Sequence, residues 1–403
     1  MSRTGPAKVQ NSSDRVRAWA GPGVLTYGYR PFFLLAGIWA VFAMASWIAM
    51  LSGHMQFWSR FDPVSWHAHE MLFGYVGAVM AGFLLTAVPN WTGRLPIIGI
   101  PLAFLAGLWV CGRVAIAISN FLPPGLVAAI DLAFPTLLAA AIGREILVSN
   151  NRRNLGVLAL LPLFITSNAL FHVQAAQGEY AAGSFGFRMG LGVVVIMLCL
   201  IGGRIVPSFT RNWLVKQGFQ ADLPGFGPDD KAILGLTQIC VVGWVVLPEN
   251  PIVAALCLVA GLANLFRLAR WQGWRTKSEP LVWILHVGFL FVPLGFLMIA
   301  LSGMNSNLSP SIGAQHVWTT GAIGVTTLAV MTRACLGHAG LPLAATRGVT
   351  LVYLLVIAAV LLRFFAAFGN TPPWVLHASA GAWMTGFLGF VILYWPILTK
   401  RRV

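Results

Sequence analysis

The sequence predicts an all-α polytopic membrane protein, a bundle of about twelve transmembrane helices, and three observations predict it. Hydrophobic residues fill 58% of the 403 positions and charged residues only 9%, against roughly 25% charged in a soluble domain. Apolar stretches of about 20 residues, enough to cross a bilayer, recur along the chain with short polar breaks between them. Lysine and arginine collect in alternate breaks, as they do in cytoplasmic loops.

The elements follow in order. The first thirty residues are basic and polar (Arg3, Lys8, Arg15, Arg17, Arg30), with no short apolar core before a cleavage site, so no signal peptide is expected. Span one covers 31–51, and the break after it holds Arg60 alone. Span two, 67–89, ends before Arg94. Span three, 95–118, and span four, 123–148, are joined without a basic residue. Three arginines from Arg144 to Arg153 precede span five, 155–177, and none separates it from span six, 184–206. Four basic residues from Arg204 to Lys231 lead into span seven, 231–248. Span eight, 251–270, follows directly, and four more from Arg267 to Lys277 precede span nine, 281–302. Arg333 and Arg347 flank the break between span ten, 312–336, and span eleven, 348–368. Span twelve, 374–397, ends before Lys400, Arg401 and Arg402.

One face thus receives 22 of the 26 basic side chains, which predicts that both termini are cytoplasmic. The same asymmetry accounts for the net charge of +15 without a nucleic-acid partner; the partners expected from composition are membrane lipids. The whole chain, 1–403, reads as one integral membrane domain: a basic segment at 1–30, the bundle at 31–397 and a tail at 398–403. The longest connection, Trp213–Asp230, ends in Pro228-Asp229-Asp230, which suits the start of span seven.

The sequence also allows three four-helix repeats. Span two ends Val88-Pro89-Asn90-Trp91-Thr92 and span six ends Val206-Pro207-Ser208-Phe209-Thr210. Span ten ends Val330-Met331-Thr332-Arg333, a weaker echo. Spans two and ten both begin with histidine and are glycine-rich in their first half (Gly74, Gly77, Gly82; Gly321, Gly324). The five cysteines show no paired spacing, so they read as small apolar residues. Without a Cys-x-x-Cys-His sequence, any haem is non-covalent, of b type.

Chemistry is expected from the histidines. Ser65-Trp66-His67-Ala68-His69-Glu70-Met71 places two imidazoles and a carboxylate at the mouth of span two, where ionisable groups face a bundle interior and mark a working site. Helix parity puts His67, His69, His172 and His316 in the outer half. His286 and His338 lie toward the cytoplasm and form a second, weaker candidate pair of metal ligands. His67 and His69 point roughly 200° apart on a helix, so they either serve two centres on opposite flanks or divide ligation and support between them. Glu70 shares the face of His67 and is the candidate catalytic proton carrier. Arg113 is expected to pair with Asp131 at similar depth. Arg188 and Arg363, without an acidic partner in sequence, suit either haem propionates or snorkelling to headgroups.

Five stretches resemble the NnrS family. They are Tyr29-Arg30-Pro31-Phe32-Phe33, Trp66-His67-Ala68-His69-Glu70-Met71, Arg204-Ile205-Val206-Pro207-Ser208-Phe209-Thr210-Arg211-Asn212-Trp213, His316-Val317-Trp318-Thr319-Thr320-Gly321-Ala322-Ile323-Gly324 and Met331-Thr332-Arg333-Ala334-Cys335-Leu336-Gly337-His338. Leu341, where the family pattern has a basic residue, departs from it. The resemblance implies a bacterial inner-membrane protein containing haem and copper that binds or reduces nitric oxide in denitrification or nitrosative-stress defence. It assigns no histidine to either metal. An electron donor, quinol or a cytochrome, is implied if nitric oxide is reduced. Two other readings remain open: a twelve-helix transporter, and a nitric oxide sink or sensor without turnover. The Asn90-Trp91-Thr92-Gly93-Arg94 connection lacks the Asp-Arg pattern of the major facilitator transporters.

Overall fold

The computed structural model describes residues 15–16, 18–220, 222–305, 311–368 and 370–401. Among them twelve long helices follow one another, with no strand. They are α1 (Tyr29–Leu51), α2 (Pro63–Thr92), α3 (Ile100–Ala117), α4 (Pro124–Val148), α5 (Leu155–Ala176), α6 (Phe185–Lys216), α7 (Pro228–Val246), α8 (Pro251–Ala269), α9 (Pro280–Met304), α10 (Ser311–His338), α11 (Arg347–Phe365) and α12 (Trp374–Thr399). Eleven are long and apolar enough to cross a membrane. The other, α7, is apolar beyond its first turn, which carries Asp229, Asp230 and Lys231. Large apolar side chains such as Phe104, Ile252, Leu262 and Ile392 cover the outside, the surface that lipid tails require of a multi-pass protein.

Sequential helices pack side by side, and α12 closes against α1. Inside this ring, the buried share of the apolar window is 83% for α2, 67% for α6 and 72% for α10. These three helices, four apart in sequence, touch one another. Leu72 and Phe73 of α2 lie against Gly190 of α6, α6 packs on α10, and Tyr75 Oη meets Thr327 Oγ1 at 2.6 Å. Helix α9 is as buried as α6, at 67%, so the interior is not strictly threefold. The threonines of the echoing stretches act alike: Thr92, Thr210 and Thr332 each donate to the carbonyl four residues earlier, at 2.8, 2.9 and 2.9 Å.

Helix ends depart from hydropathy where local chemistry overrides it. Asp62 Oδ1 accepts from Val64 N and Ser65 N, both at 3.0 Å, and Pro63 fills the first turn. Helix α2 therefore starts ahead of His67 and sets both histidines inside regular helix. Helix α6 runs through Pro207 to Lys216, so its echoing stretch is helical rather than a loop. Both α2 and α10 widen into π-helix just past their histidines, at Glu70–Tyr75 and Val317–Val325. Such segments are rare and concentrate at functional sites. All five cysteines are free thiols; Cys240 and Cys257 lie 3.2 Å apart between α7 and α8.

Candidate metal centre

His69 leaves α2 toward α4 and α5 and enters a wholly buried polar group. Its Nδ1 lies 3.1 Å from Glu70 Oε1, and its Nε2 lies 3.0 Å from Asn168 Oδ1 and 3.3 Å from Asp131 Oδ2. Asn168 Nδ2 donates to the same Asp131 oxygen at 2.8 Å, and His172 Nε2 approaches it at 3.1 Å. Arg113, on α3, binds both carboxylates: Nη1 donates to Glu70 Oε1 at 2.7 Å and Nη2 to Asp131 Oδ1. The pairing of Arg113 with Asp131 expected from their depth is present, with Glu70 as a second partner.

Small residues make this approach possible. A Cβ at Gly74 would sit 2.6 Å from Arg113 Nη1, and one at Gly112 would sit 2.8 Å from Asp131 Oδ1. The Gly74 carbonyl, inside the π-helical turn, accepts from Trp109 Nε1 at 3.0 Å, and Trp109 lies under the Arg113 guanidinium at 5.7 Å. Phe61, Phe73 and Phe171 surround the His69 ring at 5.2–5.4 Å. In such surroundings charges act more strongly on one another than in water.

His69, Asp131 and His172 can hold a metal ion: one ligand atom from each lies within 4.8 Å of the others. A tetrahedral shell with bonds of about 2.0–2.1 Å has edges of about 3.3 Å, and the Asp131 oxygen stands 3.3 and 3.1 Å from the two imidazole nitrogens. Two imidazoles and one carboxylate suit copper, zinc or iron. Two carboxylates against one guanidinium leave one excess negative charge, which a bound cation or a proton on His69 would neutralise. Glu70 Oε2 is buried without a hydrogen-bond partner, so this carboxylate keeps an oxygen in reserve.

His67 takes the other flank of α2. Its ring stacks on Trp47 at 4.8 Å. Its electrostatic neighbours are Arg363 and, from α10, His316. His67 Nδ1 is buried and unpartnered, while His316 Nδ1 is bound to Ile312 O at 2.7 Å, which leaves its Nε2 available. These four histidines thus divide into two groups, His69 with His172 and His67 with His316.

The remaining candidates lie apart. His286 pairs with Thr210 Oγ1 at 2.8 Å. His338 stacks near Tyr29 at 5.6 Å, at the end of the bundle where Arg30 reaches Lys400 O at 2.7 Å. Arg188 donates to the carbonyls of Val245 and Gly183 at 3.1 and 2.7 Å rather than to the histidine groups. Glu70 supports His69, not His67 as expected from face sharing, because Arg113 draws its carboxylate to that flank. Asn168 was not expected; its only sequence signal is the polar run Thr166-Ser167-Asn168 inside an apolar span.

The sequence pattern of the NnrS protein family matches residues 23–402, nearly the whole chain. The chain belongs to the NnrS family. Membership makes it a nitric-oxide-related membrane protein, and in an NnrS protein a buried His/Asp group is a place for a metal. No curated protein matches it.

Proposed function

We propose that this NnrS protein binds nitric oxide at a copper held by His69, Asp131 and His172, beside a b-type haem, and reduces it to nitrous oxide. The observation that carries this reading is the convergence of two imidazoles and a carboxylate on one buried point. Two nitric oxide molecules, two protons and two electrons give one nitrous oxide and one water. His67 and His316 would hold the haem through ring nitrogens, with Arg363 as the cation for a propionate. When bound, the two metals supply redox equivalents and a cationic seat for the nitric oxide oxygen.

The chain's own residues do the rest. Arg113 clamps Glu70 Oε1 and Asp131 Oδ1, and so fixes both carboxylates. Asp131 orients the imidazoles of His69 and His172. The free Oε2 of Glu70 is the site that carries a proton toward the reacting oxygen, and the phenylalanines around His69 keep bulk water out. The positive-inside asymmetry supports a bacterial inner-membrane setting with both termini in the cytoplasm and the histidines toward the opposite face. Electrons then come from a quinol or a cytochrome.

An anaerobic optical spectrum of the pure protein, with copper analysis, nitric oxide and a reductant, tests the reading. A haem absorption band, stoichiometric copper and nitrous oxide release are expected. A stable nitrosyl without nitrous oxide makes the protein a sink, and protein free of both metals leaves the transporter reading.

A further inference from the structure

At the end of the bundle opposite the two histidine groups, a cavity of about 710 Å³ opens among α2, α6 and α10. The three echoing stretches of sequence meet on it, through Asn90 and Trp91 from α2, Phe209 from α6, and Val330 and Arg333 from α10, with Asn212, Trp213 and His338 just past them. Their likeness has a use here that the metal groups do not absorb.

Arg333 decides what the cavity takes. It is only 8% exposed and its guanidinium lies 4.2 Å over the ring of Phe209. Among the described residues it has no hydrogen bond or ion pair. The Glu279 carboxylate on the same wall lends it charge but no hydrogen bond: Oε1 accepts from Leu281 N and Ala345 N, both at 3.0 Å. A buried guanidinium without an acceptor is costly, and its edge presents a fork of donors. Arg333 lines the cavity, so a ligand oxygen there can accept from its donors.

Charge and depth narrow its class. Arg333 and Lys216 against Glu279 leave one net positive charge, too little for a phosphate ester with two or more charges. A bare hydrocarbon tail would leave the guanidinium unpaired. Tryptophan and phenylalanine faces on the walls favour a flat ring. Phe83, also on the wall, lies nine residues inside the end of α2 at Thr92, about 13 Å at 1.5 Å per residue. The cavity therefore extends along the apolar helix away from its end, to a depth that a lipid-soluble molecule can occupy.

The geometry points to a binding site for the ring of a lipid-soluble quinone or its quinol. Arg333 donates to one ring oxygen, the carboxamides of Asn90 and Asn212 serve the other, and His338, exposed on the same wall, is the group that exchanges the hydroxyl proton. The site deepens the proposed function by naming its electron donor, and because its test reads binding alone, failure here and failure of the metal chemistry are distinguishable.

Full-length protein in detergent is titrated with a short-tailed naphthoquinone while tryptophan emission is followed. Saturable quenching with one quinone per chain is expected, and Trp91→Phe with Trp213→Phe should remove much of its amplitude. Trp58→Phe, at a residue 66% exposed in the loop between α1 and α2, should leave it unchanged. Arg333→Gln should raise the half-saturating concentration about tenfold, the loss of one charged hydrogen bond. Linear, unsaturable quenching in the native protein would overturn the proposal whatever the variants do. So would an unchanged midpoint in a monodisperse Arg333→Gln protein, or displacement of the quinone by fatty acid at equal concentration.

Discussion

Replacing Arg113 with methionine removes the cation that serves both carboxylates of the histidine group. Arg113 is 5% exposed, and its Nη1 stands 2.7 Å from Glu70 Oε1, with Asp131 Oδ1 on the other nitrogen. At an effective dielectric constant of about 20, Coulomb's law puts the Glu70 contact alone at about 6 kcal/mol before desolvation is subtracted. Deleting one partner of a buried pair costs about 3–5 kcal/mol net. With two carboxylates stranded at once, Arg113→Met belongs at the upper end of that range. A metal cation at His69, Asp131 and His172 supplies positive charge to the same Asp131. Copper should therefore raise the unfolding temperature of the variant more than that of the native protein. At a hundredfold excess over its dissociation constant, binding returns about 2.7 kcal/mol. The assay is a thermal unfolding scan of metal-stripped protein in detergent, with and without copper. Equal unfolding temperatures for variant and native protein would refute the clamp. A copper effect no larger in the variant than in the native protein would refute the shared charge site.

Three further outcomes are expected. His69→Ala and His172→Ala should each lose copper and keep most of the haem absorbance, whereas His67→Ala and His316→Ala should do the reverse; metal analysis beside the optical spectrum checks this, and identical losses would mean one shared centre. Glu70→Gln should keep both metals, because Oε1 still accepts from Arg113. It should slow nitric oxide consumption by about a hundredfold or more, since the amide delivers no proton; unchanged turnover measured with a nitric oxide electrode would take the proton role from Glu70. Reporter fusions after residue 403 and within 213–230 should report the cytoplasm and one near Asn305 the opposite side, and a C-terminal fusion reporting the periplasm would reverse the assigned orientation.

The helices were legible because a bilayer makes them local. Each span must satisfy its own backbone and be apolar over a fixed length, so hydropathy locates α1 to α12 without reference to neighbours. Local chemistry then adjusts the ends: Asp62 and Pro63 start α2 early, a signal that was in the sequence, while α6 continues through Pro207 because neighbouring packing supports it. The separation of His67 from His69 was equally local, a consequence of helical geometry at two residues' spacing. The pair between Arg113 and Asp131 could be read from shared depth, since a buried guanidinium needs an anion.

Which helix faces which was not in the pattern. Inside lipid, hydrophobicity does not distinguish one helix face from another, and association rests on close packing of small residues and on polar contacts. Gly74 and Gly112 let Arg113 and Asp131 reach the flank of α2, and that approach turned Glu70 toward His69 rather than His67. The π-helical turns of α2 and α10, the entry of Asn168 and the meeting of His67 with His316 and Arg363 depend on the same packing. By itself the sequence determined that a membrane bundle would carry histidines on two flanks of its second helix. The tertiary structure alone decided their partners, because helix rotation and contact are set by side chains far apart in the chain.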